Sequence, residues 1–291
     1  MRTPIADPGS RPRASLLRRL VSPGALFKQA LMLSMAVAAI YPVYYMIATS
    51  LKTRQGWTLD QFGLPLSPTL ESYLAVLNEG RVPIWFLNSL LVTTASVALA
   101  TIVSTLAAYA IARLRFRGRT GLLRLMIVLM VIPPAVIILP LFLAFQPIGL
   151  VNTYQSVILI YAGLMVPISV YMLASFFRTL PNELFEAARI DGASTMRILV
   201  SIVLPLSGPG LVTLVVVNAL WAWNELLIAL VFLQDDRLRT LMPGLTLFKG
   251  HYSVNEPLVM AGTFLSVLPM LLLFLFGQRY FVRGLVAGAV K

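Results

Sequence analysis

Between Lys28 and Lys52 the chain carries no charged side chain. Equally clean stretches recur from Arg81 to Arg113, Arg124 to Arg178, Arg197 to Glu225 and Glu256 to Arg279. About 20 apolar residues, rising 1.5 Å each as a helix, cross the hydrocarbon of a bilayer. Runs of this length therefore predict an all-α integral membrane protein. The 124–178 stretch is too long for one helix and contains the turn-rich "FQPIGLVNTYQS", so it divides there into spans three and four. Span five is expected from Ser207 to Leu233 and span six between Glu256 and Arg279, which makes six helices. Only 12% of the residues are charged and the mean hydropathy is +0.85, against about 25% charged in soluble domains. Too little polar sequence remains to surface a soluble domain.

The first span reads as retained rather than cleaved. "AVA" at 36–38 imitates a cleavage site, but the apolar run continues through "IYPVYYMIA", beyond the roughly 7–15 residues of a signal core. The net charge of +12 would suggest nucleic acid in a soluble protein. Here its distribution explains it. With the N-terminus inside, only Lys52, Arg54, Arg81, Arg237, Arg239 and Lys249 of the 23 basic residues fall in outer loops. The positive-inside rule then places both termini in the cytoplasm and removes any need for a nucleic-acid partner. The absence of cysteine and the single His251 exclude disulfides, thiolate sites and histidine metal clusters. No metal site and no bound cofactor are expected.

Between spans four and five lies "TLPNELFEAARIDGASTMRILVSIVLPLSGPG", residues 179–210, expected on the cytoplasmic side. Pro181 can open a helix, with Glu183 and Glu186 in its early turns, where the dipole favours negative charge. Leu184, Phe185 and Ala188 are expected on one face, and Glu183, Glu186 and Arg189 on the other. Gly192, following Asp191, can end the helix in a left-handed conformation. Ser194 or Thr195 can cap a second helix, which Pro205 interrupts. The order Glu186-Ala187-Ala188, three residues, Gly192, nine residues, Ile202-x-Leu204-Pro205 resembles the EAA loop of permease subunits of bacterial ABC importers. "FLNSLLV" at 86–92, "AAYAIARLRFRGR" at 107–119, "AWNELLIALVFL" at 222–233 and the tail "RYFVRGLVAGAVK" are similar to the carbohydrate-uptake, maltose-type branch, as its second-permease type.

The resemblance implies a type I importer permease fold over residues 29–291, with a core over 86–281, a coupling loop over 179–205 and an N-terminal arm over 1–28. It implies a bacterial inner-membrane subunit that forms a sugar pathway with a second permease as a heterodimer. It further implies an ATPase dimer that binds ATP and Mg2+, and an extracytoplasmic sugar-binding protein. Coupling would fall to Glu183, Glu186, Ala187, Ala188, Asp191, Gly192, Ile202, Leu204 and Pro205. The chain has no G-x-x-x-x-G-K-[ST], so it reads as a non-catalytic subunit. The tail resembles tails that reach the ATPases, with Arg279, Arg283 and Lys291 as contacts; ordinary anchoring is the alternative.

Glu225 is the one acidic residue inside a span, which marks a functional position. Asn218, Trp221 and Glu225 are expected on one helical face, with Asn224 beside them and Trp221 or Trp223 stacking on a sugar ring. Polar residues of span two, including Asn88, Ser89, Ser96 and Ser104, read as packing. "RLRFRGR" at 113–119 reads as a topogenic anchor. The outer loop at 52–85 is expected to hold a short amphipathic helix with Tyr73, Leu74 and Leu77 on its apolar face, suited to docking the binding protein or lying on the membrane. Two other readings compete. An ion-coupled secondary transporter leaves the 186–205 spacing unexplained. A membrane transferase would need more carboxylates than the Asp235–Asp236 pair.

Overall fold

The computed structural model describes residues 23–78, 81–251 and 255–289, with side chains over 26–78, 81–246 and 255–278. Residues 1–22 of the expected 1–28 arm, Lys291, and the side chains of Arg279 and Arg283 lie outside the described residues. In chain order, α1 (Pro23–Ser50) is followed by the short α2 (Arg54–Leu59) and α3 (Glu71–Asn78), then by the long α4 (Arg81–Arg113). Next come α5 (Arg119–Leu129), α6 (Pro134–Phe145), α7 (Tyr154–Thr179), α8 (Asn182–Ile190) and α9 (Thr195–Leu206). α10 (Gly208–Asn224), α11 (Leu227–Phe232), α12 (Leu241–His251) and α13 (Glu256–Ala289) complete the chain. The described residues form no strand.

α1, α4, α7 and α13 are each long and apolar enough to cross a membrane. Helices suit that solvent because every backbone N–H and C=O is paired within the segment. The third expected span is broken in two. It is α5 and α6, bent by 101°. Pro133 and Pro134 account for the break: each disfavours helical backbone in the residue before it, and Pro134 then opens α6. A second bend, of 79°, separates α9 from α10 at Ser207.

α4 lies along α7 as the spine of the bundle, and α10 packs on α4, α7 and α13. Ala100, Ser104 and Ala108 on α4 are buried, and such small residues let backbones approach closely in lipid. Gly210 at the start of α10 serves the same end, since a Cβ there would sit 3.1 Å from the Phe176 ring of α7. α1 stands outside this spine, packs on α13, and exposes Met32, Leu33, Val37 and Ile40. Apolar all round, it is a surface for lipid or a neighbouring membrane helix rather than for water.

α3 exists as expected, but its buried face is different. Ser72 and Val76 are buried and the Tyr73 hydroxyl lies 2.7 Å from Ser50 Oγ, whereas Leu74 and Leu77 are exposed. The helix packs against α13 and α4, so its inward side is set by those neighbours and not by its own most apolar stripe. Before it, Lys52 is buried and donates from Nζ to the Asp60 carbonyl at 2.6 Å. The Asp60 carboxylate accepts from the Gly63 and Phe62 N–H groups. Chiefly the Gly63 bond holds its pKa below the ordinary value, with Phe62 and the Lys52 charge adding to it.

Candidate functional site

α8 is nine residues long and begins after Pro181, whose extended backbone (φ −58°, ψ 136°) makes it the capping residue rather than the first helical one. Phe185 and Ala188 are buried. Leu184, expected beside them, is 40% exposed, because so short a helix buries only the stripe that touches the bundle. Glu183, Glu186, Ala187, Arg189 and Ile190 are all exposed, and Ile190 is 86% so. An isoleucine this bare next to two free-standing glutamates is an unpartnered surface.

The helix stops at Asp191 and Gly192. The Asp191 N–H donates to the Ala187 carbonyl at 3.0 Å, that of Gly192 to Arg189 at 3.0 Å and that of Ala193 to Ala188 at 2.9 Å. These last two are the paired bonds of a Schellman turn. Gly192 sits at φ +73° with nothing within 4 Å of an added Cβ. Backbone conformation, not crowding, is therefore what requires glycine. Ser194 then caps α9, its Oγ accepting from the Arg197 N–H at 3.3 Å.

α9 widens into a π turn over Leu199–Val203, directly before Pro205, which has no N–H to give to an α-helical ladder. Ile198, Leu199 and Val203 are fully buried. Ile202 and Leu204 pack at the edge of the same cluster, while Pro205 is exposed. The residues that root α9 are thus largely ones the motif does not name.

The sequence reading missed how the α8 end is fastened. Arg113, the last residue of α4, donates from Nη1 to Asn182 Oδ1 at 2.7 Å and from Nη2 to the Leu180 carbonyl at 2.6 Å and the Phe177 carbonyl. Its guanidinium lies 4.0 Å from the Phe185 ring centroid. The signal was present in "RLRFRGR", but composition gives all its arginines the same meaning.

Span five is also not continuous. α10 ends at Asn224, and Glu225 has extended backbone (φ −69°, ψ 127°). Its carboxylate caps α11. Oε1 accepts from the N–H of Leu227 at 3.0 Å, Oε2 from Ile228 at 3.0 Å and Ala229 at 3.2 Å. Tyr161 on α7 donates its hydroxyl to Oε2 at 2.7 Å. The expected single face of Asn218, Trp221 and Glu225 is therefore corrected: the helix ends before the third member. Asn218 is buried and donates to Ser169 Oγ at 2.9 Å. Trp221 meets the Tyr161 ring edge-on at 5.3 Å between centroids. Trp223 is buried and donates to the Ser266 carbonyl at 3.0 Å, so it offers no face for a ring to stack on. Asn224 is exposed.

Beyond α11 the chain is latched to the Arg81 end of α4. Asn88 donates to the Arg237 and Arg239 carbonyls, both at 2.8 Å, and accepts from the Tyr154 hydroxyl at 2.7 Å. Trp85 donates to the Asp236 carbonyl at 2.9 Å, and Ser89 accepts from the Leu241 N–H at 2.7 Å. Asn88 and Ser89, read as packing, are hydrogen-bonding hubs; Ser96, also buried, has no such partner.

Comparison with known proteins gives three findings. A family described as "Binding-protein-dependent transport system inner membrane component" matches residues 100–286. Two curated relatives align over most of the chain. The trehalose/maltose transport system permease protein MalG of Thermococcus litoralis is 35% identical over 263 residues, covering 88% of this chain and 93% of that protein. The melibiose/raffinose/stachyose import permease protein MelC of Bacillus subtilis is 34% identical over 257 residues, with coverage of 88% and 93%. Among solved structures, a chain of a bacterial ABC transporter that imports the acidic polysaccharide alginate superposes with a TM-score of 0.77. It is 23% identical, over 96% of this chain and 100% of that one.

Proposed function

Because the chain belongs to the binding-protein-dependent transport system inner membrane component family, we propose that α8 and the Gly192 turn are where force from a separate ATPase enters it. It is an inner-membrane permease subunit of an ABC importer. The relatives' names support a sugar, of disaccharide or oligosaccharide size, as its cargo. The ion-coupled alternative has no support from either the family or the relatives.

The observation that carries the coupling reading is the exposed surface of α8. Glu183, Glu186, Ala187 and Ile190 point away from the bundle, while Phe185 and Ala188 join it to a buried cluster that continues into Ile198, Leu199 and Val203. A partner cleft with a basic side chain would pair with Glu186 through a charge-assisted bond, bury Ile190, and lie close against Ala187. Displacement of α8 would pass through Gly192 into α9 and so into α10. ATP and Mg2+ belong to the partner subunits and hydrolysis with them. Both termini and α8 face the cytoplasm. A second permease completes the pathway, and an extracytoplasmic binding protein delivers the sugar. On this chain the pathway is lined by Trp221 and Asn224 near the break in span five, with Asn218 and Glu225 holding that wall in place.

Cysteines placed at Ala187 or Ile190 in the co-purified complex are expected to crosslink to the ATPase subunits, and ATPase activity is expected to rise with the sugar-loaded binding protein. Absence of both crosslinks in an assembled, active complex would reject α8 as the coupling element.

A further inference from the structure

α8 is held between two joints. On one side Leu180 and Pro181 are both extended (ψ 138° and 136°); on the other Gly192 turns at φ +73°. A short helix between an extended segment and a left-handed turn can pivot unless something fixes it. Among the described residues, the Arg113–Asn182 bond is the one side-chain hydrogen bond or ion pair that ties α8 to a membrane span.

We propose that Arg113 is the positioning residue that locks α8, α7 and α4 into one rigid unit, so that displacement of α8 moves α4 along its whole length. The proposal rests on the coupling reading above and adds the part that makes it a lever. The guanidinium takes the Leu180 carbonyl and shares the Phe177 carbonyl with the Leu180 N–H, which reaches it at 3.4 Å, at the end of α7. It binds the first residue of α8, stacks on Phe185 one turn further, and is itself the last residue of α4. A positive charge at the end of α7 is also favoured by that helix's dipole. α4 then spans about 50 Å at 1.5 Å per residue. Its other end carries Trp85, Asn88 and Ser89, which hold the segment following the broken span. A planar fork that bonds along two edges and stacks on a ring is a task for arginine that lysine cannot perform. A simple topogenic anchor would accept lysine.

The chain has no cysteine, so paired spin labels can be placed cleanly in the assembled complex. One pair joins exposed Ile190 on α8 to exposed Ile102 on α4; a second joins exposed Leu87 on α4 to exposed Leu227 on α11. With Arg113 present, the first pair should give one narrow distance that does not change with a non-hydrolysable ATP analogue and Mg2+, while the second pair shifts. In Arg113→Ala and equally in Arg113→Lys, the first distribution should widen about twofold as α8 pivots locally, and the nucleotide response of the second pair should vanish. If Arg113→Ala does not assemble, the Asn182→Ala/Phe185→Leu double variant, which keeps the cation, is expected to show the same widening. Distributions as narrow as in the parent, or full rescue by lysine, would overturn the clamp. A parent complex in which nucleotide moves neither pair would instead count against the coupling reading, and the widening of the first pair would still decide the clamp.

Discussion

The chain interrupts its helices with the same device at two places, and they differ in what completes it. After α8 the turn is local: Gly192 supplies the left-handed backbone, two N–H groups reach back along the same helix, and Ser194 caps the next one. After α10 the break is tertiary. Glu225 caps α11 much as Ser194 caps α9, but its carboxylate is also fixed by Tyr161 from a helix 64 residues earlier in the chain. The first interruption stands at the surface and can dock a partner. The second is half-buried against α7, and Ile228 and Ala229 are fully buried, so without the cap their N–H donors would be left unpaired. One interruption should therefore govern coupling, and the other stability.

Glu225→Ala tests this contrast most severely. It strips the acceptor from three N–H groups and from the Tyr161 hydroxyl, and should cost about 2–4 kcal/mol, read as a lower thermal midpoint of the purified complex. Glu225→Gln, which keeps one oxygen, should lose less than Glu225→Ala. If both behave like surface substitutions, the break is not held by its cap.

Gly192→Val should strain the left-handed turn by roughly 1–2 kcal/mol. Transport into vesicles should fall more than tenfold while membrane content is retained and the thermal midpoint drops less than in Glu225→Ala. Near-normal transport would erase the functional half of the contrast. Tyr161→Phe removes the cross-helix bond but leaves the three N–H contacts, so a loss of about 1 kcal/mol is expected in the same thermal assay; no change would mean that the cap needs no tertiary support. Ser194→Ala should be mildest, about 0.5–1 kcal/mol, because water can replace the lost acceptor at an exposed turn. A larger loss than for Tyr161→Phe would invert the comparison.

The helix–turn–helix around Gly192 was legible because each of its signals acts over a few residues. A glycine at a fixed place, a serine before a helix and acidic residues in a first turn state their geometry without help from the rest of the chain. Arg113 was not legible. Next to Arg115, Arg117 and Arg119 it looks like one more interfacial charge, and only folding brings the end of α7 and the start of α8 to its guanidinium. The continuous fifth span failed for a related reason: "AWNELLIALVFL" has a helical composition throughout, and nothing near Glu225 announces that a tyrosine waits across the bundle.

The sequence by itself determined an all-helical membrane chain and its polar knuckle, since apolar length and backbone conformation are properties of contiguous residues. Tertiary structure alone decided which arginine fastens α8, that span five breaks at Glu225, and which residues root α9. Hydrogen-bond partners 64 to 152 residues apart meet only after the helices pack, and a buried donor or acceptor is defined by the partner it finds there.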